Sequence, residues 1–256
     1  MPLEGDGGTL QLSLRTYREY FRQEDLVYFQ VVVKDSDLYI GVRKTRFSME
    51  LAKKTEQLLR QLRSDLEEYI ARDPTFATTL QPYLVPVWAP PVAQAMAASA
   101  QLAGVGPMAA VAGAFADAIG RFLGTHSSNT IVENGGDIYL KSTRARRIGI
   151  YAGKKSPFTG RVALEIPKDW TPLGICTSSG TVGPSLSFGE ADAAIILART
   201  ATLADAVATA TANRIKKPQD LKEAINFASQ VPGVIGAVAI KDDQIAAWGQ
   251  VRLVPV

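Results

Sequence analysis

The sequence contains almost no cysteine or histidine. Cys176 is the single cysteine and His126 the single histidine among 256 residues. One cysteine excludes an intramolecular disulfide and a zinc ribbon, and it is compatible with a reducing compartment. A serine hydrolase would need His126 as the base for Ser178 or Ser179, but the sequence lacks the Gly-x-Ser-x-Gly elbow of that class. These absences direct attention to sites built from oxygen ligands and backbone groups.

The sequence also lacks a strong charge of either sign and a secretory signal. Its 28 Lys and Arg residues and 25 Asp and Glu residues give a net charge of +3, which neither demands nor excludes a polyanionic partner. Residues 1–8 have neither a basic nor an apolar signal region, so we expect a cytoplasmic protein. With 46% hydrophobic residues, the chain can bury a full core over residues 1–256, as one domain or as two intimate halves.

A long uncharged stretch covers residues 85–116. It is rich in alanine and glycine rather than leucine, and it is interrupted by Pro90-Pro91 and by residues 104–107. This composition favours two buried helices, over residues 91–104 and 107–123, rather than a membrane span. We therefore predict no membrane attachment.

Hydrophobic periodicity predicts an α+β fold. Two β-rich runs, residues 26–33 and 38–42, are joined by a turn composition, and helical spacing from Phe47 to Tyr69 predicts a long helix that ends at Asp73-Pro74. Further strands are predicted near residues 129–133, 137–142, 147–152, 160–166, 175–177, 193–198 and 234–240, with a last helix near 218–229 and a closing turn at Asp242-Asp243. The pattern predicts antiparallel sheets covered by helices. Internal duplication is left open, because no clear sequence repeat is present.

The first candidate motif is Asn134-Gly135-Gly136-Asp137, between two β-type runs. Glycine adopts the positive φ that a concave turn needs, so backbone amides of this turn are candidates for contacting a phosphate. The alternative is a tight hairpin turn without a ligand, because Asn-Gly is typical of left-handed turn positions.

The second candidate motif is Asp205 with Thr209, on a predicted helix. Side chains four residues apart share one helical face, so these two are candidates to hold one hard cation through oxygen, as Mg²⁺ prefers. The alternatives are structural. Thr202-Leu-Ala-Asp205 has the pattern of a capping box, and Thr209 can bond a carbonyl one turn earlier.

A third feature is a basic hairpin, which contains Lys141, Arg144, Arg146, Arg147, Lys154 and Lys155. A solvated surface is the default interpretation, and attraction of a pyrophosphate or a nucleic acid is the alternative. No aromatic stacking motif accompanies these cations, so we do not expect a nucleic-acid partner.

Four motifs, taken in order, resemble the landmarks of the ApbE-like superfamily, and most closely those of its uncharacterised branch. They are Ala103-Gly-Val-Gly-Pro-Met-Ala-Ala-Val-Ala-Gly113, Glu133-Asn-Gly-Gly-Asp137, Thr177-Ser-Ser-Gly180 and Ala204-Asp-Ala-Val-Ala-Thr-Ala210. The resemblance covers about residues 92–215 and depends more on their order than on any single motif. It implies an ApbE-like, T-fold-like architecture. The named enzymes of the superfamily are magnesium-dependent transferases that split FAD and attach FMN to a threonine of a partner protein.

The resemblance implies specific roles for residues of this chain. Asp205 and Thr209 match the metal-binding pair, completed by a carbonyl from residues 103–106, which implies Mg²⁺ as a cofactor. Gly135, Gly136 and Asp137 match the turn that borders the nucleotide, and Thr177, Ser179 and Gly180 match the strand end that faces the flavin. The implied ligand is FAD or a related flavin nucleotide, and the implied macromolecular partner is a protein acceptor.

The sequence also departs from the enzymes. Residues 105–108 have no lysine where the enzymes have Ala-Lys-Gly, and residues 181–189 lead to the next strand without a His-x-x-Asp-Pro-x-Thr-Gly loop. His126 precedes the Gly-Gly turn, so it is not the histidine of that loop. Three hypotheses follow: a magnesium-dependent flavin or nucleotidyl transferase or pyrophosphate-cleaving enzyme, a flavin or nucleotide binding module without catalysis, and a basic structural or nucleic-acid-associated protein.

Overall fold

Two antiparallel sheets form the framework of the computed structural model, which describes Arg18, residues 22–180 and residues 188–256. The larger sheet has eight described strands, in the spatial order β1 (Leu26–Val33), β2 (Ser36–Arg43), β3 (Thr130–Asn134), β4 (Asp137–Lys141), β7 (Leu173–Ser178), β8 (Ala193–Ala198), β9 (Val234–Lys241) and β10 (Gln244–Gly249). The smaller sheet has the order β11 (Leu253–Pro255), β6 (Val162–Ile166) and β5 (Arg146–Gly149).

Helices lie on one face of the large sheet. They are α1 (Met49–Arg72), α2 (Thr75–Thr78), α3 (Pro91–Ala103), α4 (Val111–His126), α5 (Ala201–Ala212) and α6 (Leu221–Gln230). Side chains alternate between the two faces of each strand, so Val132 and Tyr139 join the core under the helices, and Ile131 and Ile138 join a second core on the side of the small sheet. This arrangement confirms the predicted α+β class and its antiparallel sheets covered by helices.

Local signals explain the start of α1 and the end of α3. Ser48 caps α1 by accepting a hydrogen bond from the Leu51 N–H at 3.1 Å, and Gly104 ends α3 with a φ of 72°. The last predicted helix begins as a short 3-10 turn over Pro218–Asp220 and becomes α-helical at Leu221. The sequence did not indicate β11, because three residues are too few for a detectable period.

No single helix in the described ranges is long and apolar enough to cross a membrane. The uncharged region passes a test of length and composition only as the pair Pro91–Ala103 and Pro107–His126, whose axes are bent by 102°. Met96 on α3 and Ile119 on α4 are both fully buried, as the prediction of two buried helices requires.

The basic run does not form a hairpin between β4 and β5, because β4 pairs with β3 and β7 in the large sheet and β5 pairs with β6 in the small sheet. Its cations also do not form a continuous solvated patch, because Arg146 is buried with 2% of its side chain exposed. Its Nη1 and Nη2 both donate to the Asp25 carboxylate, and its Nε donates to Ser142 Oγ at 2.8 Å. The hydrogen bonds from Arg146 lower the pKa of Asp25. The prediction of a solvated basic hairpin is therefore wrong for Arg146, which joins β5 to the chain before β1.

We expect Arg146→Met to reduce the free energy of unfolding by about 3 kcal/mol, because the substitution leaves Asp25 and Ser142 without their buried cationic partner. Arg147→Met is the matched control. Its guanidinium is 63% exposed and lies 3.7 Å from Glu165, so we expect a change within about 0.5 kcal/mol. Urea unfolding of the three proteins measures the difference, and equal losses in both variants would contradict the structural role of Arg146.

Candidate functional site

The predicted Gly-Gly turn is a two-residue hairpin connection between β3 and β4. Asn134 pairs with Asp137, and Gly135 and Gly136 have φ values of 70° and 110°. The Gly136 N–H donates to Glu133 Oε1 at 2.9 Å, so that amide already has an acceptor within the protein. An added Cβ at Gly135 would meet no atom within 4 Å, so the turn is open on that side. The tight hairpin conformation is confirmed, and nucleotide binding by the turn stays a prediction.

The turn places two polar side chains on the helix-covered face of the sheet. Asn134 Nδ2 donates to the Ala112 carbonyl at 3.1 Å, next to the start of α4. Asp137 is buried, and its Oδ1 has no hydrogen-bond partner in the described part of the chain. A buried carboxylate oxygen without a partner is costly, and it is the kind of group that a cation satisfies.

Asp205 projects from α5 toward the start of α4. Its Oδ2 accepts a hydrogen bond from the Gly113 N–H at 2.8 Å, and the residue is buried. The capping-box alternative is wrong, because α5 begins at Ala201 and its cap is Thr200, whose Oγ1 accepts from the Leu203 N–H at 3.2 Å. Asp205 therefore does not cap its own helix.

Thr209 lies one turn after Asp205 on α5 and is half-buried. Within the described ranges its hydroxyl makes no hydrogen bond to a carbonyl one turn earlier, so the structural alternative for this residue is not found. The first turn of α4, with Ala112 and Gly113, contacts the Asp205 carboxylate. A ligand from residues 103–106 stays a prediction.

Asp137 and Asp205 form a buried acidic pair. Burial and the neighbouring Asp205 charge raise the pKa of Asp137 well above its usual value. Burial raises the pKa of Asp205 to about 7, and the amides of Gly113 and Ala112 act in the opposite direction. The Cys176 thiol beside them has a pKa raised by burial and by both carboxylates, and its Sγ donates to the Ala201 carbonyl at 3.2 Å. Two adjacent carboxylates with raised pKa values attract a proton or a metal cation.

The predicted strand end near the flavin is adjacent to this pair, but Thr177 belongs to the other face of the sheet. Cys176 faces the helices, while Ile175 faces the second core, so alternation places the Thr177 side chain with Ile175. The Thr177 carbonyl would lie 3.7 Å from a Cβ added at Gly136, so the strand end and the Gly-Gly turn are neighbours.

Ser179 and Gly180 are held by the chain that leads into β8. Ser179 Oγ and the Gly180 N–H both contact the Ala191 carbonyl, at 3.2 and 2.9 Å. A Cβ at Gly180 would lie 2.0 Å from the Gly189 carbonyl oxygen, so glycine is required there for close packing. The segment without a histidine loop was predicted at residues 181–189, and residues 181–187 lie outside the described residues.

Sequence reasoning missed Asp117, which is buried on α4. Its carboxylate accepts hydrogen bonds from the Ala201 N–H, the Thr202 N–H and the Thr202 hydroxyl, at 2.9, 2.9 and 2.6 Å. One signal was available, because Asp117 is the first charged residue after a stretch without charge over residues 74–116. A lone acid in such a helix needs a polar partner inside the fold.

Two surface clefts of about 550 and 540 Å³ lie elsewhere. One is lined by α1 residues that include Arg63, together with Val33 at the end of β1 and Lys34 in the turn after it. The other is lined by residues that include Tyr28 and Phe47. Neither is lined by a residue predicted to bind nucleotide or metal. In the described part of the chain, no three His, Cys, Asp or Glu side chains are grouped as a metal site. A cation at Asp205 would therefore need hydroxyl, carbonyl or ligand oxygens in addition to carboxylates.

Comparison with known proteins identifies relatives of this chain. A UPF0280 protein of Methanothrix thermoacetophila is 42% identical over 236 residues, which cover 91% of this chain and 92% of the relative. A UPF0280 protein of Methanocella arvoryzae is 47% identical over 190 residues, or 74% and 77% of the two chains.

Solved structures share the fold at low sequence identity. A histidine-to-glycine variant of the flavin transferase ApbE from Vibrio cholerae has a TM-score of 0.54 and 14% identity, covering 88% of this chain and 97% of that one. The apo flavinyl transferase ApbE of Pseudomonas stutzeri has a TM-score of 0.52 and 14% identity, covering 88% and 94%. The family model described as "AbpE bacteria" matches residues 18–246. The chain therefore belongs to this family and has the ApbE fold, in agreement with the resemblance seen in the sequence.

Proposed function

We propose that this protein binds a flavin nucleotide, FAD or a close relative, together with Mg²⁺, and cleaves its pyrophosphate or transfers its flavin nucleotide part. The observation that carries the proposal is the buried pair of Asp137 and Asp205, with one Asp137 oxygen left without a partner. The similarity to flavin transferases, at 14% identity, supports only the fold. The proposed activity therefore rests on the acidic pair.

The residues at the pair suit Mg²⁺. Asp205 and Thr209 offer a carboxylate and a hydroxyl on successive turns of α5, and Asp137 adds a second carboxylate from β4. Mg²⁺ takes hard oxygen ligands and usually keeps positions for waters and substrate phosphates. When bound there, the cation would neutralise pyrophosphate charge and stabilise the leaving phosphate.

The chain's own groups would then bind and orient the nucleotide. Gly135 leaves the β3–β4 turn open for close approach, and the Thr177 strand end lies beside that turn. Asn134 is fixed by the Ala112 carbonyl, which holds the turn against α4. By family analogy, a threonine of a partner protein is the proposed acceptor of the flavin nucleotide.

A second candidate is a binding module that keeps the nucleotide site without turnover. It is favoured by the position of the only histidine, His126, which ends α4 in an exposed position with Nδ1 3.1 Å from the Phe122 carbonyl. The basic structural or nucleic-acid-associated alternative loses support, because Arg146 is buried in its pair with Asp25.

The decisive experiment combines ligand capture with turnover. We expect the purified protein, incubated with FAD and Mg²⁺, to release FMN and AMP detectable by liquid chromatography. We expect Asp205→Asn and Thr209→Val to reduce both FAD binding and product formation by at least tenfold, since each removes a proposed Mg²⁺ ligand. Asp35→Asn, at a side chain 99% exposed, is the control and should behave like the wild type.

Three outcomes of this experiment are distinct. FAD that is bound tightly in a magnesium-dependent manner but returned intact would favour the binding module. Binding and turnover that survive in Asp205→Asn would remove the acidic pair from the site. No FAD binding by the wild type, with no shift in its melting temperature on addition of FAD and Mg²⁺, would overturn the proposal.

A further inference from the structure

Two neighbouring helices cap each other through buried carboxylates. Asp117 on α4 accepts the first free N–H groups of α5, from Ala201 and Thr202, and also the Thr202 hydroxyl. Asp205 on α5 accepts in return the N–H of Gly113, in the first turn of α4. The first four N–H groups of a helix have no partner within that helix, so each carboxylate satisfies donors that the other helix leaves free.

These contacts form a closed ring that includes one turn of α4 and one turn of α5. Thr202 and Asp205 are three residues apart on α5, and Gly113 and Asp117 are four residues apart on α4, so each pair lies on one face of its helix. The ring therefore runs from Asp117 to Thr202, along α5 to Asp205, across to Gly113 and back along α4. Movement of α5 relative to α4 must break a hydrogen bond at one end of the ring or the other.

Two glycines bring the backbones close enough for the ring to form. A Cβ at Gly113 would lie 2.2 Å from the Ala201 carbonyl oxygen, and a Cβ at Gly174 of β7 would lie 2.3 Å from Ala201 Cα. The first turn of α5 is thus held against both α4 and the sheet. The position of the Asp205 carboxylate depends on this turn, which lies immediately before it.

We propose that Asp117 is a positioning residue for the Asp205 and Thr209 cation site. Asp117 acts through Thr202 and the first turn of α5, and it does not itself bind the cation. This inference rests on the proposed function. The cation affinity and the cation selectivity of that site then depend on a carboxylate of the neighbouring helix.

Asp117→Asn tests the proposal, because the amide group replaces one acceptor oxygen by a donor that faces backbone N–H groups. With Mg²⁺ and Ca²⁺ alone as probes in isothermal titration calorimetry, we expect the Mg²⁺ affinity to fall about tenfold. We expect a smaller loss for Ca²⁺, which tolerates longer and less regular ligand distances. The ratio of the two affinities is the critical measurement, because a general loss of stability would not change it.

Two further variants separate positioning from folding. Thr202→Ser keeps the hydroxyl donor to Asp117 and should retain wild-type Mg²⁺ affinity, whereas Thr202→Val removes it and should weaken Mg²⁺ binding. Ile166→Val, in the second core, lowers stability away from both helices and should leave the affinity ratio unchanged. Wild-type affinities and ratio in Asp117→Asn would overturn this inference alone. A wild type that binds neither cation would overturn the proposed cation site and this inference with it.

Discussion

Gly113→Ala is expected to destabilise the protein by about 3 kcal/mol, or roughly 6–12 °C in melting temperature, and to abolish binding at the proposed cation site. The added Cβ would lie 2.2 Å from the Ala201 carbonyl oxygen and 2.8 Å from Asp205 Cβ. The first of these atoms is backbone, so it can move only if α4 and α5 separate. That separation breaks the hydrogen bond from the Gly113 N–H to Asp205 and displaces the carboxylate.

Gly124→Ala is the matched control, on the same helix. Its Cβ would first meet Cδ of the Lys141 side chain at 3.3 Å rather than a backbone atom, and alanine is favoured over glycine in a helix by about 1 kcal/mol. We expect Gly124→Ala to be neutral or slightly stabilising, with normal cation binding. Thermal unfolding and Mg²⁺ titration of the two variants give the comparison. A Gly113→Ala protein that is as stable as Gly124→Ala would show that the helices are not packed as described.

The stability of the metal-free protein is expected to fall as the pH rises from about 5 to 8. Asp137 and Asp205 both have pKa values raised in the folded state, the second to about 7, against a usual value of 3.8. The folded protein then holds more protons than the unfolded chain above pH 4, so the stabilisation is complete below that pH and is lost as the pH passes the folded-state pKa values. Melting curves measured in chelator against pH give this slope.

Magnesium is expected to reverse the trend, because a cation bound at the proposed site would compete with the protons for the same oxygens. The rise in melting temperature on adding saturating Mg²⁺ should therefore be larger at pH 8 than at pH 5.5. Asp137→Asn should flatten the pH slope and reduce this effect, whereas Asp35→Asn should change neither. A magnesium effect that is equal at both pH values, or a slope unchanged in Asp137→Asn, would contradict the assignment of the proposed cation site to this acidic pair.

The sequence predicted the elements well where a period or a cap was present. The hairpin of β1 and β2, the long helix α1 and the two small-residue helices α3 and α4 all appear close to the predicted bounds. Burial on one face imposes a regular spacing of apolar residues, and that spacing is visible without any tertiary information. The family resemblance added the order of the motifs, and it was confirmed by the fold.

Asp205 shows where local reasoning failed. The local pattern Thr202-Leu-Ala-Asp205 indicated a capping box, but the helix begins two residues earlier than that pattern requires, with Thr200 as its cap. Asp205 instead accepts a hydrogen bond from the N–H of Gly113, which is 92 residues away in the chain. A capping motif read from sequence considers only the donors of its own helix, whereas buried donors of any neighbouring helix compete for the same carboxylate.

The amino-acid sequence by itself determined the α+β class, the turn at Gly135-Gly136 and the presence of a carboxylate and a hydroxyl on one helical face, because each depends on contacts within a few residues. Tertiary structure decided that Asp137 and Asp205 meet in a buried pair, that Asp117 holds the start of α5, and that Arg146 pairs with Asp25. Those outcomes depend on the packing of helices against a sheet whose neighbouring strands are far apart in the chain, and burial then determines which charges need a partner.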